Sequence, residues 1–321
     1  MQFSSFFISL VLCPLIILIS QKFKLFDLPN KRKSHTKPTP KLGGLAIFLA
    51  FLIDSLLNNF FEISLSFSST ILIILVLLDD KYNLNRYLRL VVQILATIPI
   101  LLHFNLFDLN FIILLFSSFF IIYSINIFNF FDGLNGLLIT QLLLVSSFYL
   151  NYGNSLGIGN YTNSIASVSL AGISFLLFNL GGLIFMGDIG SCFLGLFISN
   201  VVLKSIHNGD IVSFVCLLIP LLPIFVDCSL IILTRFKNRE KFFSTPHNQH
   251  TYQLLNRLGF KHWMVNIIYI VKYFIYIIPL YLYKEGIGTL NYLLFNISIL
   301  IILDLLFCSF IRKVSLKQNI L

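Results

Sequence analysis

Two adjacent carboxylates, Asp79 and Asp80, close an apolar run, with Lys81 directly after them. Neighbouring helical residues do not share a face, and like charges repel. A solvated helix end accounts for one such acid, whereas two beside an apolar run are better explained by a metal ion or a cationic partner. A second constellation is Asn126-x-x-Asn129-x-x-Asp132, followed by Gly133-Leu134-Asn135-Gly136. Spacing of three puts the three polar groups on one face if the helix continues, and Gly133 and Gly136 then break it. A structural amide pair with a C-terminal cap is the plain alternative. The third is Phe185-Met186-Gly187-Asp188-Ile189-Gly190-Ser191. Its single acid either caps the helix that follows or, with the Ser191 hydroxyl and free backbone groups, makes a hard-cation site.

Two further clusters are basic. Residues 31–44 hold Lys31, Arg32, Lys33, His35, Lys37 and Lys41 with two prolines and the pair Gly43-Gly44. Proline fixes φ and glycine permits close backbone approach, so this reads as a shaped loop suited to a phosphate-bearing ligand as well as a charged membrane anchor. The other runs from Arg235 through Arg239 and Lys241 to His247-Asn248-Gln249-His250. Glu240 is its only acid, so a zinc site is poorly supplied with ligands; histidine and arginine here suit phosphate recognition.

The elements that must position these groups follow from composition. Of 321 residues, 57% are hydrophobic and 11% charged, with a mean hydropathy of +0.91. Soluble domains carry about 25% charged residues, so a water-soluble enzyme, a disordered chain and a secreted disulfide scaffold are excluded. Eleven apolar stretches are expected to form helices, at about 3–20, 43–58, 63–78, 88–103, 109–126, 137–151, 163–180, 191–204, 211–234, 263–283 and 288–310, with boundaries good to a few residues. Gly43-Gly44 and the region of Gly181-Gly182 suggest irregular starts, which leaves ten spans open. The sequence therefore specifies an all-α polytopic integral membrane protein of about 10–11 transmembrane helices, forming one domain over residues 1–321.

Charge sets the expected orientation. With the N-terminus outside and the C-terminus cytoplasmic, the cytoplasmic segments are 21–42, 79–87, 127–136, 181–190, 235–262 and the tail. Within a turn of these lie 19 of the 22 Lys and Arg residues, the bias expected of cytoplasmic loops. The net charge of +9 thus reflects topology and gives no sign of a nucleic-acid partner. The first apolar run, with Lys22 and Lys24 after it and no basic residue before it, reads as a retained span. The five cysteines lack metal-ligand spacing and read as small core residues. All five polar clusters fall on one membrane face. Acids able to hold a divalent cation, beside basic loops and a hydrophobic body, point to phosphoryl chemistry on a lipid.

Asp79-Asp80, the 126–133 segment, the 185–191 segment and the His247-x-x-His250 loop resemble, in order, the motifs of the polyprenyl-phosphate N-acetylhexosamine-1-phosphate transferases (glycosyltransferase family 4). The resemblance spans about residues 30–260. It implies a Mg²⁺-dependent enzyme that moves an N-acetylhexosamine-1-phosphate from a UDP-sugar to undecaprenyl phosphate, releasing UMP, at the cytoplasmic face of a bacterial inner membrane; a homodimer would be unsurprising. By the same resemblance Asp188 is the magnesium ligand and Asp79, Asp80 and Asp132 are the acidic catalytic residues. Asn129, Gly133, Leu134, Asn135 and Phe185 would contact the nucleoside, Phe185 stacking on uracil, and Asn126 would be a further substrate-binding position. Lys37, Arg239, His247 and His250 would face donor phosphates or sugar. The chain departs from the family at Asn135, where a second Asp is common, at 179–184, which is one residue shorter and leaves Asn179 without an assured role, and in its histidine motif. It looks more like the O-antigen-initiating branch, specifically the enzymes that use 6-deoxy-N-acetylhexosamines, than the lipid I translocase. The competing readings are a lipid I-forming phospho-MurNAc-pentapeptide transferase, a CDP-alcohol phosphotransferase, a lipid-linked sugar transporter, and an inactive relative.

Overall fold

A computed structural model describes residues 3–29, 37–237 and 249–318. Every apolar stretch expected from the sequence is helical within them. In chain order they are α1 (Ser4–Lys22), α2 (Gly43–Leu57), α3 (Ile63–Tyr82), α4 (Arg86–His103), α5 (Phe111–Phe131), α6 (Leu137–Tyr152), α7 (Thr162–Leu180), α8 (Gly187–His207), α9 (Ile211–Leu218), α10 (Leu222–Lys237), a short α11 (Thr251–Arg257), α12 (His262–Lys284) and α13 (Leu290–Lys317). A 3-10 turn at Ile219–Leu221 joins α9 to α10, so the two read as one 27-residue span. Pro220 and Pro223 account for that break, since proline has no N–H for the helical ladder. A two-residue antiparallel pair, β1 (Phe26–Asp27) with β2 (Thr39–Pro40), closes the loop before α2.

Among the described residues, nine of these stretches are long and apolar enough to cross a bilayer. The other two, α2 with 15 residues and α6 with 16, rise only about 22–24 Å, against a hydrocarbon core of about 30 Å. Helix bounds differ from the sequence expectation where local caps decide them. α3 runs on through Tyr82 to a left-handed Asn83, so Asp79 and Asp80 lie on its last turns and not in a loop. The Asn85 side chain accepts from Tyr87 N at 3.1 Å and starts α4 two residues early. Gly43 and Gly44, expected as an irregular start, are the first helical residues of α2: their N–H groups donate to Phe185 O at 2.9 Å and Met186 O at 2.8 Å. Those bonds satisfy two of the donors that every helix N-terminus leaves open.

α8 is the centre of the bundle, almost wholly buried and packed on α2, α3 and α5. The α2–α8 crossing is a backbone contact: a Cβ on Gly44 would stand 2.1 Å from the Gly190 Cα. All five cysteines are free and buried.

Three acids well inside helices and away from the α3 and α8 ends are each locally satisfied. Asp54 takes bonds from Ser4 and Asn58, and Asp227 from Thr251 N at 2.9 Å and the Tyr269 hydroxyl at 2.6 Å. Asp304 pairs with Lys272 at 2.6 Å, and the Lys272 ammonium also lies 4.8 Å from the Tyr269 and Phe307 ring centres. Removing one member of a buried ion pair leaves an uncompensated charge and costs about 3–5 kcal/mol, whereas replacing both with apolar groups is near neutral. Lys272→Met is therefore expected to lower the melting temperature in detergent markedly, and Lys272→Met/Asp304→Leu to recover most of it. Equal losses in the two variants would show that Lys272 stabilises by packing alone.

Candidate active site

Four carboxylates converge from three helix ends. Asp79 and Asp80 come from the end of α3, Asp132 from the residue that ends α5, and Asp188 from the first turn of α8. Asp79 and Asp80 point to different partners, as neighbouring helical residues must. Asp79 Oδ1 accepts from Leu84 N at 2.9 Å and meets the Arg89 guanidinium at 2.8 Å. Asp80 accepts from Lys41 Nζ at 2.7 Å. Both acids lie close enough to Asp188 to act on it electrostatically, as do Lys41 and the Asn129 amide. Asn129 also reaches the Cys192 thiol, one turn further along α8.

The position of Asp188 is set by Gly187. Its φ of +68° is left-handed, a region that a Cβ makes costly. A Cβ there would also fall 2.0 Å from the Lys41 carbonyl. Phe185 N donates to Pro40 O at 2.8 Å, so the segment before α8 is stitched to the segment carrying Lys41. The half-buried Phe185 ring thus stands beside that basic segment.

Asp132 is half-buried. Burial, with the Asp188 charge added, pushes its carboxyl up to about 8. A carboxyl at that value is largely protonated at neutral pH unless a cation lies beside it. The turn behind it is held by Asn179, which is buried: its Oδ1 accepts from Gly136 N at 2.6 Å and its Nδ2 donates to Ile184 O at 2.9 Å. One side chain thus ties the 133–136 turn to the segment leading into Asp188, and the shortened 179–184 segment keeps that tie.

The remaining residues singled out in the sequence are placed as follows. Asn126 forms a reciprocal amide pair with Gln93 of α4, at 3.0 and 3.4 Å. Gly133 packs on the Tyr252 ring, Leu134 is buried and Asn135 is half-buried with its carbonyl accepting from Asn266. Lys37 is exposed. His250 is 3% exposed, enclosed between Phe130 and Tyr252, and burial holds its imidazole below the ordinary value. Arg239 and His247 lie outside the described residues. Sequence reasoning passed over Arg89, Gln93 and Cys192 as site residues and took Lys41 only as part of the basic 31–44 loop. Arg89 was absorbed into the positive-inside count; only spatial pairing with Asp79 distinguishes it, as pairing with Asp80 singles out Lys41.

The chain is 30% identical over 319 residues to a probable undecaprenyl-phosphate N-acetylglucosaminyl 1-phosphate transferase of Bacillus subtilis, covering 91% of this chain and 86% of that protein. The chain belongs to the polyprenyl-phosphate hexosamine-1-phosphate transferase family. The family model described as glycosyl transferase family 4 matches residues 62–206, the stretch that holds all four carboxylates and Arg89. An undecaprenyl-phosphate alpha-N-acetylglucosaminyl 1-phosphate transferase of Yersinia pestis is 28% identical over 276 residues, 75% of this chain and 72% of that protein. A phospho-N-acetylmuramoyl-pentapeptide-transferase of Orientia tsutsugamushi is 29% identical over 246 residues, 60% of this chain and 68% of that protein. The protein is thus a multi-pass membrane enzyme that transfers a sugar phosphate, and the four carboxylates of this family member sit where three helix ends meet.

Proposed function

We propose that the enzyme transfers N-acetylglucosamine-1-phosphate from UDP-N-acetylglucosamine to undecaprenyl phosphate, releasing UMP, at the cytoplasmic face of a bacterial inner membrane. The sugar follows the names of the relatives, the face follows the distribution of Lys and Arg, and initiation of a surface polysaccharide such as O-antigen is the pathway class that consumes such a product. The observation that carries the reading is the approach of Asp132 and Asp188, whose charges oppose one another, beside Asp79 and Asp80, which are already paired with Arg89 and Lys41. With Asp132 and Asp188 both charged, a diphosphate enters beside them only with a cation.

The donor set fits Mg²⁺. That ion binds through one or two carboxylates, keeps several waters and takes substrate phosphates as ligands. Among the described residues no three His, Cys, Asp or Glu side chains are gathered to hold a metal alone, as expected for a metal that the substrate completes. Asp188 and Asp132 would hold it, and bound there it supplies neutralisation of the diphosphate charge.

The rest falls to the chain's own residues. An oxygen of the lipid phosphate attacks the β-phosphorus of the donor, and the bond from that phosphorus to the bridging oxygen breaks. The bridging oxygen leaves on UMP, and a new P–O–P linkage joins lipid and sugar. A phosphomonoester has its second pKa near 6, so the acceptor needs no strong base at neutral pH. Asp79 and Asp80 hold Arg89 and Lys41 where they can take phosphate charge as the bond breaks. Asn129 keeps Asp188 oriented. Phe185, beside the segment that carries Lys41, offers a ring face for uracil.

The test is the mass of the lipid product formed by purified enzyme from undecaprenyl phosphate and a donor panel: UDP-N-acetylglucosamine, its 6-deoxy analogues and UDP-MurNAc-pentapeptide. A product of undecaprenyl diphosphate plus one N-acetylhexosamine is expected. A muramoyl-pentapeptide product would move the enzyme to the lipid I branch.

A further inference from the structure

The α5 helix must stop at a particular residue for Asp132 to face Asp188, and a side chain 120 positions later stops it. At the end of α5, Asn129 O accepts from Asp132 N and Phe131 O from Gly133 N. Phe130 O, between them, takes its bond from the Tyr252 hydroxyl at 2.7 Å. Terminal carbonyls have no partner within their own helix, so this hydroxyl completes the cap. Tyr252 is 1% exposed, and a Cβ on Gly133 would fall 2.5 Å from its oxygen. The turn therefore lies directly on the tyrosine.

Tyr252 is itself held by Asp227. One carboxylate oxygen accepts from Thr251 N at 2.9 Å, fixing the first residue of α11, and the other accepts from the Tyr269 hydroxyl at 2.6 Å. Phe131, the residue before Asp132, is wedged between the rings of Tyr252 and Tyr269, with centroids at 5.4 and 5.1 Å and both contacts edge-on. Tyr252, Asp227 and Tyr269 all lie beyond residue 206, where the family match ends, yet they brace the last turn of a helix inside it.

We infer that Tyr252 is a positioning residue that sets the direction of the Asp132 carboxylate through the Phe130 carbonyl, and that Asp227 anchors it. This rests on the proposed transfer reaction for its kinetic part only. Removing the hydroxyl in Tyr252→Phe keeps the ring packing and frees one backbone carbonyl. Small displacements of a reacting group cost up to about a hundredfold in rate, so kcat should fall about tenfold or more while the donor KM stays within about twofold. Backbone amides at 132–136 should exchange hydrogen faster in the variant, and the melting temperature should hardly move. Asp227→Asn should give the same pattern; where it folds poorly, Tyr269→Phe removes one of the two anchoring bonds instead.

Full-length enzyme in nanodiscs serves for both measurements. A kcat within about twofold of wild type, a loss that merely tracks the folded fraction, or unchanged exchange at 132–136 would overturn the inference. Wild-type enzyme that turns over no donor would sink the transfer reaction instead, and the exchange measurement would still decide the positioning role.

Discussion

Asp188→Ala is expected to abolish measurable transfer, a loss of about a thousandfold or more in kcat, the scale of removing a principal stabiliser of transition-state charge. The structure gives three reasons. Asp188 lies where the other three carboxylates converge, so its loss removes the group that, in the proposed reaction, would hold the cation with Asp132. The Asn129 amide lies beside it. Asp188 is also the acid in the first turn of α8, where helix polarity favours an anion. Purified variant with wild-type melting behaviour and no product would confirm a chemical role. Residual turnover above about a tenth of wild type would mean that the cation is held elsewhere.

Gly187→Ala is the second variant with a large expected effect, and its mechanism is steric. An L-residue in the left-handed region costs about 1–2 kcal/mol, and the new Cβ would stand 2.0 Å from the Lys41 carbonyl oxygen. Backbone must move, and either direction separates Lys41 from the start of α8. Because Lys41 is paired with Asp80 and Asp188 is the next residue, one methyl group displaces an acid and a base together. Turnover should fall about a hundredfold, with a lower melting temperature. Near-normal activity in Gly187→Ala would show that the 40–44 segment can shift without taking Lys41 out of the site.

The spans and the acids were legible because they are local. Apolar runs announce helices, and Asp79, Asp80, Asp132 and Asp188 stand out as acids in a chain with few charges. The same holds for the break after α5, since Gly133 and Gly136 flag it. The pairings were not legible. Lys41 and Asp80 are 39 residues apart, and Asn179 bonds Gly136 from 43 residues away. Nothing in the residues near Asn179 says that its amide spans two turns of the site. Tyr252 reaches Phe130 across 122 residues, and in sequence it is one more aromatic beside a histidine. Helical periodicity reports which face a residue takes, whereas these contacts depend on how α5, α7, α8 and α11 come to lie against one another.

The central claim is that four carboxylates and a divalent cation form one site for sugar-1-phosphate transfer to a polyprenyl phosphate. It is tested most directly by following UMP release from UDP-N-acetylglucosamine and undecaprenyl phosphate during a magnesium titration, with wild type and Asp188→Ala side by side. UMP should appear only with both substrates present, rise with Mg²⁺, vanish on chelation and be lost in the variant. Release that persists under chelation, or that Asp188→Ala sustains at the wild-type rate, would contradict it.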